Sequence, residues 1–362
     1  MEDRTLQKDA PAVLTDIPRY SAAQAHASAL VPTPVQIPRV NLVLFALTLL
    51  TTTMAGAYMA GATLSLGAPL EAIVELTKGV TFSLPLLAIL ACHEMGHYIF
   101  ARRNGVDVTL PYFIPAPFPS LFIVGTFGAF IRMRSQPRTR RVMFDVGAAG
   151  PWFGAFVAVP AVIIGLLLSE IRPLDRAAGG LELGDSILFW AISRLVLGID
   201  PNSVSVMLHP IAFAGWIGLF VTTLNLLPVG QLDGGHVTYA LFGERWHRLM
   251  SVMLIVTCVL LPIVPLLLGR EYWLGWFLWA FLLLVLGIGH PATIDAETPL
   301  DPRRRFAAWM TVALFLLTFS PVPISFVPPS AEPPEEPGQT YDVRHDAPAR
   351  PALPPSVRRV GY

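Results

Sequence analysis

Two histidines four positions apart, with a glutamate directly after the first, are the part of this chain whose residue types and spacing can do chemistry: His93-Glu94-Met95-Gly96-His97. On a helix, positions four apart share a face, so both imidazoles can point at one metal ion. Glu94 then sits where a carboxylate can take a proton from a metal-bound water. This is the spacing of zinc hydrolases. The run leading into it, Val80 to Cys92, carries no charge. A hydrolytic motif therefore begins inside a segment apolar enough for lipid.

A catalytic zinc site takes three protein ligands and leaves one position for water, so the two histidines need a partner. The best candidate is Asp233, in Asn225-Leu-Leu-Pro-Val-Gly-Gln-Leu-Asp-Gly-Gly at the end of a later apolar run. An ionisable group at membrane depth is costly unless it is paired or functional. Two other readings stay open on the residues alone. Asp233 suits the cap of a short helix starting near Gly234, and His236 is a second candidate for the ligand. His209 and His290 each precede a proline near the end of an apolar run, which suits interfacial or structural roles. Trp273, Trp276 and Trp279 read as interface anchors and packing.

The elements that must position these residues belong to a membrane. The chain is 54% hydrophobic and 14% charged, with a mean hydropathy of +0.58, whereas a soluble domain is about a quarter charged. Its net charge of zero offers no field to attract nucleic acid, and no nucleic-acid partner is expected. Cys92 and Cys258 lie in apolar runs and read as small core residues rather than a disulfide. The N-terminal region shows no short apolar stretch with a cleavage site, so a removable signal peptide is not expected.

Apolar runs of spanning length lie at about Val40 to Leu64, Val80 to Arg102, Val142 to Ser169, Met207 to Leu227, Val252 to Leu268, Tyr272 to Gly289 and Ala307 to Phe326. The fold class expected is an all-α polytopic membrane protein with about seven transmembrane helices. Its membrane-embedded domain covers 39–326, with a catalytic core at about 80–240. A flexible cytoplasmic tail occupies 1–38, with a short helix near Ser21 to Leu30, and a Pro-rich disordered tail occupies 327–362. Prolines and glycines break Val106 to Ile131, so it cannot be one helix. A re-entrant β-hairpin at 106–134 beside the active site is expected, since irregular backbone at membrane depth needs protein or a wet cavity around it. Its second strand offers an edge for pairing with an extended peptide. Residues 170–205 are polar and Gly-rich, too few for an inserted globular domain of ordinary size. Gly147-Ala-Ala-Gly150 would let another helix approach closely. Arg102, Arg103, Arg132, Arg134, Arg138, Arg140 and Arg141 gather on one side, which places the motif near the cytoplasm by the positive-inside rule. The preference for Arg over Lys suggests a bacterial inner membrane.

Together, His93-Glu94-x-x-His97 in one span, the Gly-rich opening of the third, and Asn225-x-x-Pro228-x-x-x-Leu232-Asp233-Gly234 after the fourth resemble the site-2 protease class of intramembrane zinc metalloproteases. The resemblance covers about residues 80–240. Gly105 to Arg134 and Gly289-His290-Pro291 are similar to the branch without an inserted PDZ domain, which has chloroplast and bacterial members. The resemblance implies one Zn2+ held by His93, His97 and Asp233, Glu94 as catalytic base, and Asn225 as a polar group near the scissile carbonyl. It also implies that the substrates are transmembrane helices cut within the lipid bilayer. The competing reading is a polytopic transporter or scaffold that binds metal without hydrolysis.

Overall fold

The computed structural model describes residues 38–63, 67–118, 124–172, 180–200, 204–290, 293–295 and 297–327. Apart from Pro38 and Val327, the two expected tails, and the helix expected near Ser21, lie outside the described residues. The described residues are mostly helical. Helix α1 is Arg39–Met59, α2 is Pro69–Thr77 and α3 is Val80–Arg103; strands β1 (Tyr112–Pro115) and β2 (Thr126–Phe130) follow. Helix α4 is Arg140–Leu167, followed by β3 (Glu170–Arg172), β4 (Gly180–Leu183), α5 (Ile187–Leu197) and β5 (Ser205–Met207). The chain continues through α6 (Pro210–Asn225), α7 (Asp233–Phe242), α8 (Glu244–Leu267), α9 (Gly275–Leu286), α10 (Pro302–Thr318) and β6 (Ile324–Val327).

Among the described residues, four helices, α1, α3, α4 and α8, are long and apolar enough to cross a membrane. Seven helices occupy the seven expected apolar runs, but α6, α9 and α10 have 16, 12 and 17 residues. At 1.5 Å per residue, α6 rises about 24 Å, short of the roughly 30 Å hydrocarbon layer. Its length is set at both ends by sequence: Pro210 occupies its first turn behind His209, and Asn225 closes it shortly before Pro228. Helix α6 is also well enclosed by protein, with Ala212, Ala214, Gly215, Trp216, Gly218 and Leu219 buried. Helices α1, α8 and α9 instead expose Leu42, Phe45, Met253, Val256, Phe281 and Val285, an apolar surface suited to lipid.

The core sits between α3, α4 and α6. Phe82, Leu86 and Leu90 of α3 meet Ala158, Val162 and Leu166 of α4 and Ala214, Ile217 and Leu219 of α6. Small residues permit this approach: a Cβ on Gly215 would meet the Ala158 carbonyl oxygen at 3.0 Å, and one on Gly96 the Ala149 oxygen at 2.8 Å. A second core, around Leu227, Ile255, Cys258, Trp276 and Leu283, joins α8 and α9 to the turn after α6. Both cysteines are free thiols, as their apolar settings imply.

The Pro-broken region folds as expected into an antiparallel hairpin, with Tyr112 opposite Phe130 and Phe113 opposite Ala129, extended by a bridge between Val108 and Met133. Gly105, at φ 71°, turns the chain out of α3 toward it in the left-handed conformation that glycine tolerates. Asn41 of α1 fastens the hairpin's entry by donating from Nδ2 to the Pro111 carbonyl at 2.7 Å. Residues 170–205 hold more order than their composition indicates: α5, capped by Ser186 and closed by Gly198, and strands β3 and β4, which pair with β5 and β6. Those partners lie far along the chain, so no local pattern marks these strands.

At the opposite end from β4 and β6, Arg304 of α10 forks onto Asp145 of α4, with Nε–Oδ1 and Nη2–Oδ2 both at 2.8 Å. Its third arm reaches Asp301, 2.7 Å away, whose other oxygen caps α10 by accepting from the Arg304 N–H. That pairing holds the Asp301 carboxyl down to about 2. Only a planar guanidinium serves both carboxylates in this way. Arg304→Lys is therefore expected to lower stability by on the order of 1 kcal/mol, discounted for partial exposure. A fall in the detergent-solubilised melting temperature larger than that of Arg303→Lys would bear this out.

Candidate metal centre

The His-Glu-x-x-His stretch lies in the second half of α3, well inside the helix, so its geometry is fixed by the helical repeat. His93, Glu94 and His97 are all buried. His93 Nε2 and His97 Nε2 lie 3.1 Å apart. Asp233 Oδ2 lies 3.2 Å from each of them. Three donor atoms form a near-equilateral triangle. Ligands at about 2.05 Å in a tetrahedral shell stand about 3.3 Å apart, so the triangle matches the face of such a shell. Two imidazole nitrogens and a carboxylate oxygen are also the donor set of catalytic zinc sites.

The face of α4 opposite these rings is glycine for a physical reason. A Cβ on Gly150 would lie on the His97 ring, and one on Gly154 would come within 3.1 Å of His93 Nδ1. The rings occupy the volume that side chains on α4 would fill. One turn earlier, the Val146 carbonyl accepts from His97 Nδ1 at 2.8 Å. That bond holds the proton on Nδ1 and leaves the Nε2 lone pair for a metal. The expected close approach at Gly147 and Gly150 thus admits imidazoles as well as a helix.

Asp233 opens α7 and does not cap it. The N-cap position belongs to Leu232, and no side chain makes a capping bond there. The Asp233 carboxylate goes to the histidines instead, which removes the capping reading and places it as a candidate ligand. Asp233 arrives there because the chain reverses tightly after α6. Gly230 sits at φ 53°, and Gly235 packs under the Val229 carbonyl, where a Cβ would meet its oxygen at 2.7 Å. Gly234 likewise lies against the Leu226 carbonyl. The first turn of α7 can tuck beneath its own lead-in only without side chains. Asn225, the last residue of α6, donates from Nδ2 to His93 Nε2 at 3.2 Å.

A cavity of about 380 Å³ joins these groups: His93, Glu94, His97, Asn225 and Asp233 line it, and residues 129–133 of the hairpin form another wall. Ile131 of that wall and Glu94 line the same cavity. All five residues singled out for the site from sequence therefore share one cavity. His236 also lines it, but its Nδ1 is engaged by His290 Nε2 at 2.7 Å, and it is not one of the converging donors. His290 is buried within the protein rather than interfacial. The Val146 carbonyl and the His236–His290 pair were not legible beforehand, because a backbone acceptor carries no sequence signal and the pair is joined across distant segments. His209 caps α6 by accepting from the Ile211 N–H, a structural role as expected. Trp276 is buried, with Nε1 donating to the Pro321 carbonyl, so it packs the interior instead of anchoring an interface.

Gly150→Ala is the sharpest test of this packing. The added methyl has to displace the His97 ring from its bond to Val146, and metal affinity is expected to fall about 10- to 100-fold. Titration with a fluorescent zinc competitor reads this directly. Ala149→Gly, on the same helix, serves as the control and is expected to leave affinity unchanged within about twofold.

The comparisons agree with this geometry. The chain matches peptidase family M50 over residues 81–268. It is 37% identical over 168 residues to "Probable zinc metalloprotease EGY1, chloroplastic" of Oryza sativa subsp. japonica, covering 44% of this chain and 27% of that protein. It is 36% identical over 180 residues to the Arabidopsis thaliana protein of the same name, covering 48% of this chain and 31% of that one. Against "Probable zinc metalloprotease EGY2, chloroplastic" of Oryza sativa subsp. indica it is 28% identical over 258 residues, covering 70% of this chain and 45% of the relative. The chain thus spans less than half the length of these curated relatives. They are named chloroplastic, which lends no support to the bacterial membrane expected from the Arg bias. No solved structure matches the chain. The family match takes in both histidines, Glu94, Asn225 and Asp233, and the chain belongs to peptidase family M50.

Proposed function

We propose that this protein is an intramembrane zinc metalloendopeptidase that hydrolyses peptide bonds within the transmembrane helices of other membrane proteins. The observation that carries the reading is the triangle of His93 Nε2, His97 Nε2 and Asp233 Oδ2, with Glu94 beside it in one cavity. A transporter has no need of a carboxylate next to its metal ligands, and the relatives are named as zinc metalloproteases.

His93, His97 and Asp233 would hold the zinc. When bound, zinc supplies Lewis acidity, which brings the pKa of a bound water toward about 7. The Glu94 carboxylate takes the proton of the attacking water and delivers it to the nitrogen of the departing amine. Asn225 contributes a side-chain N–H to the carbonyl oxygen as it gains negative charge. The Val146 carbonyl keeps the His97 proton on Nδ1 throughout.

A helical substrate hides its peptide bonds in its own hydrogen bonds, so it must unwind locally to be cut. Strand β2 pairs only with β1 among the described residues, which leaves its other edge for an extended segment. Its continuation at 130–133 borders the cavity. We read the Arg-rich segment 132–141 and Arg303 to Arg305 as the retained side of the membrane, with the site opening toward it, whether that side is bacterial cytoplasm or the corresponding face in a plastid.

Two measurements test the assignment in liposomes containing a panel of tagged single-span proteins. Glu94→Gln should reduce cleavage by about 10²–10⁴-fold while stoichiometric zinc is retained, because only the base is lost; undiminished cleavage would sink the peptidase reading. Asn225→Ala should lower kcat by about 10²-fold with zinc retained. An equal loss of zinc in that variant would instead make Asn225 part of the metal's support through His93.

A further inference from the structure

His236 lies one turn beyond Asp233 on α7, is buried, and lines the same cavity, yet the roles assigned above do not use it. Its ring is held firmly. Nδ1 meets His290 Nε2 at 2.7 Å, and the His290 ring stacks on Tyr239 with centroids 4.3 Å apart and planes 10° from parallel. Tyr239 in turn accepts at its hydroxyl from the Thr293 N–H, 3.2 Å away, so Tyr239 holds both the His290 ring and the chain three residues beyond it. On its other flank His236 rests on Gly147, where a Cβ would come within 2.6 Å of its own Cβ.

His247 shows what a purely structural histidine looks like in this cluster. Its ring lies 5.2 Å from that of His290, and its Nε2 is satisfied by the Gly230 carbonyl at 3.2 Å. His236 differs. Among the described residues its Nε2 has no protein partner, although the ring is buried and borders the cavity that holds Glu94 and Asn225. A neutral imidazole carries one N–H. If His290 donates from Nε2 to His236 Nδ1, the single proton of His236 stands on Nε2 and faces the cavity.

Building on the peptidase reading, we propose that His236 is a further catalytic residue, whose Nε2–H donates a hydrogen bond to the carbonyl oxygen of the peptide being cut. His290 is the positioning residue that holds the ring and its tautomer. The pair adds a second donor beside Asn225 without adding charge. Preorganised donors of this kind act where negative charge develops, and removing one typically costs about 10²–10³ in kcat.

The experiment uses the full chain in liposomes. The first readout needs neither zinc nor turnover. In ¹⁵N-histidine-labelled, zinc-free protein, the resonances that disappear in His236→Gln identify His236. They should report a single Nε2–H tautomer, and His290→Ala should mix the tautomers. The second readout is cleavage of fluorescein-labelled casein, an unstructured protein that needs no unwinding. His236→Ala should lower kcat about 100-fold with KM within about threefold and zinc stoichiometry unchanged. His236→Gln, whose amide can still donate, should recover at least about tenfold of that loss, and His290→Gln should outperform His290→Ala. An Nδ1–H tautomer, a His236→Ala kcat within about twofold of the parent, or zinc lost in step with activity would each overturn the proposal. If the parent protein cleaves nothing, the peptidase reading fails, and the tautomer measurement still decides how His236 is held.

Discussion

The structure depends on an absence of side chains. The imidazoles of His93 and His97 need room against α4, and glycines supply it: a Cβ at 150 would overlap the His97 ring, and one at 154 would crowd His93 Nδ1 at 3.1 Å. Interiors are packed to crystal-like density, so a ring can enter only where the facing helix has given up volume. Once the rings are seated, their neighbours become constrained. Val146 must present its carbonyl to His97 Nδ1, Gly96 must let α3 close onto Ala149, and Gly147 must admit His236. One face of one helix thereby determines where an ion can sit.

The second demand is that a carboxylate reach the same point from a separate part of the chain. Helix α6 ends at Asn225 and α7 begins at Asp233, and the reversal between them passes through backbone conformations and contacts that only glycine accommodates at 230, 234 and 235. The exposed backbone of such a turn would be costly in lipid. Here it is enclosed: Leu227 and Val229 are buried against α8 and α9, and the Gly230 carbonyl is bonded by His247. A broken helix at membrane depth is tolerated because protein surrounds it. The break also aims the N-terminus of α7, where the backbone dipole favours a carboxylate, at the histidines.

Around this centre the polar groups do two kinds of work. Some fasten elements together, as Arg304 does between α10 and α4, and as Asn41 does between α1 and the hairpin. Others keep a nitrogen or oxygen available, as Val146 does for His97 Nε2. The hairpin belongs to both groups, since it is anchored to α1 and its segment 129–133 forms a wall of the cavity. The hairpin gives the cavity a backbone pairing edge, which helices alone do not present.

The motif residues declared themselves along the chain because each rests on short-range geometry. A four-residue helical spacing places His93 over His97, a charge-free run of spanning length makes a membrane helix, and Pro-rich interruptions at 111–117 forbid one. Asp233 was identifiable as a candidate, since a carboxylate between apolar runs needs a reason to be there, but capping and ligation could not be told apart by residue type. Tertiary structure removed the cap and set the Asp233 carboxylate 3.2 Å from each histidine. It also decided that residues 170–205 contain α5 and strands β3 and β4, that His290 turns inward onto His236, and that Trp276 is buried. Each of these depends on a partner far away in sequence: α4 for the rings, β5 and β6 for the strands, α7 for His290. Local spacing sets what a segment can form; which groups end up three ångströms apart is set by the volume and hydrogen bonds that distant segments leave available.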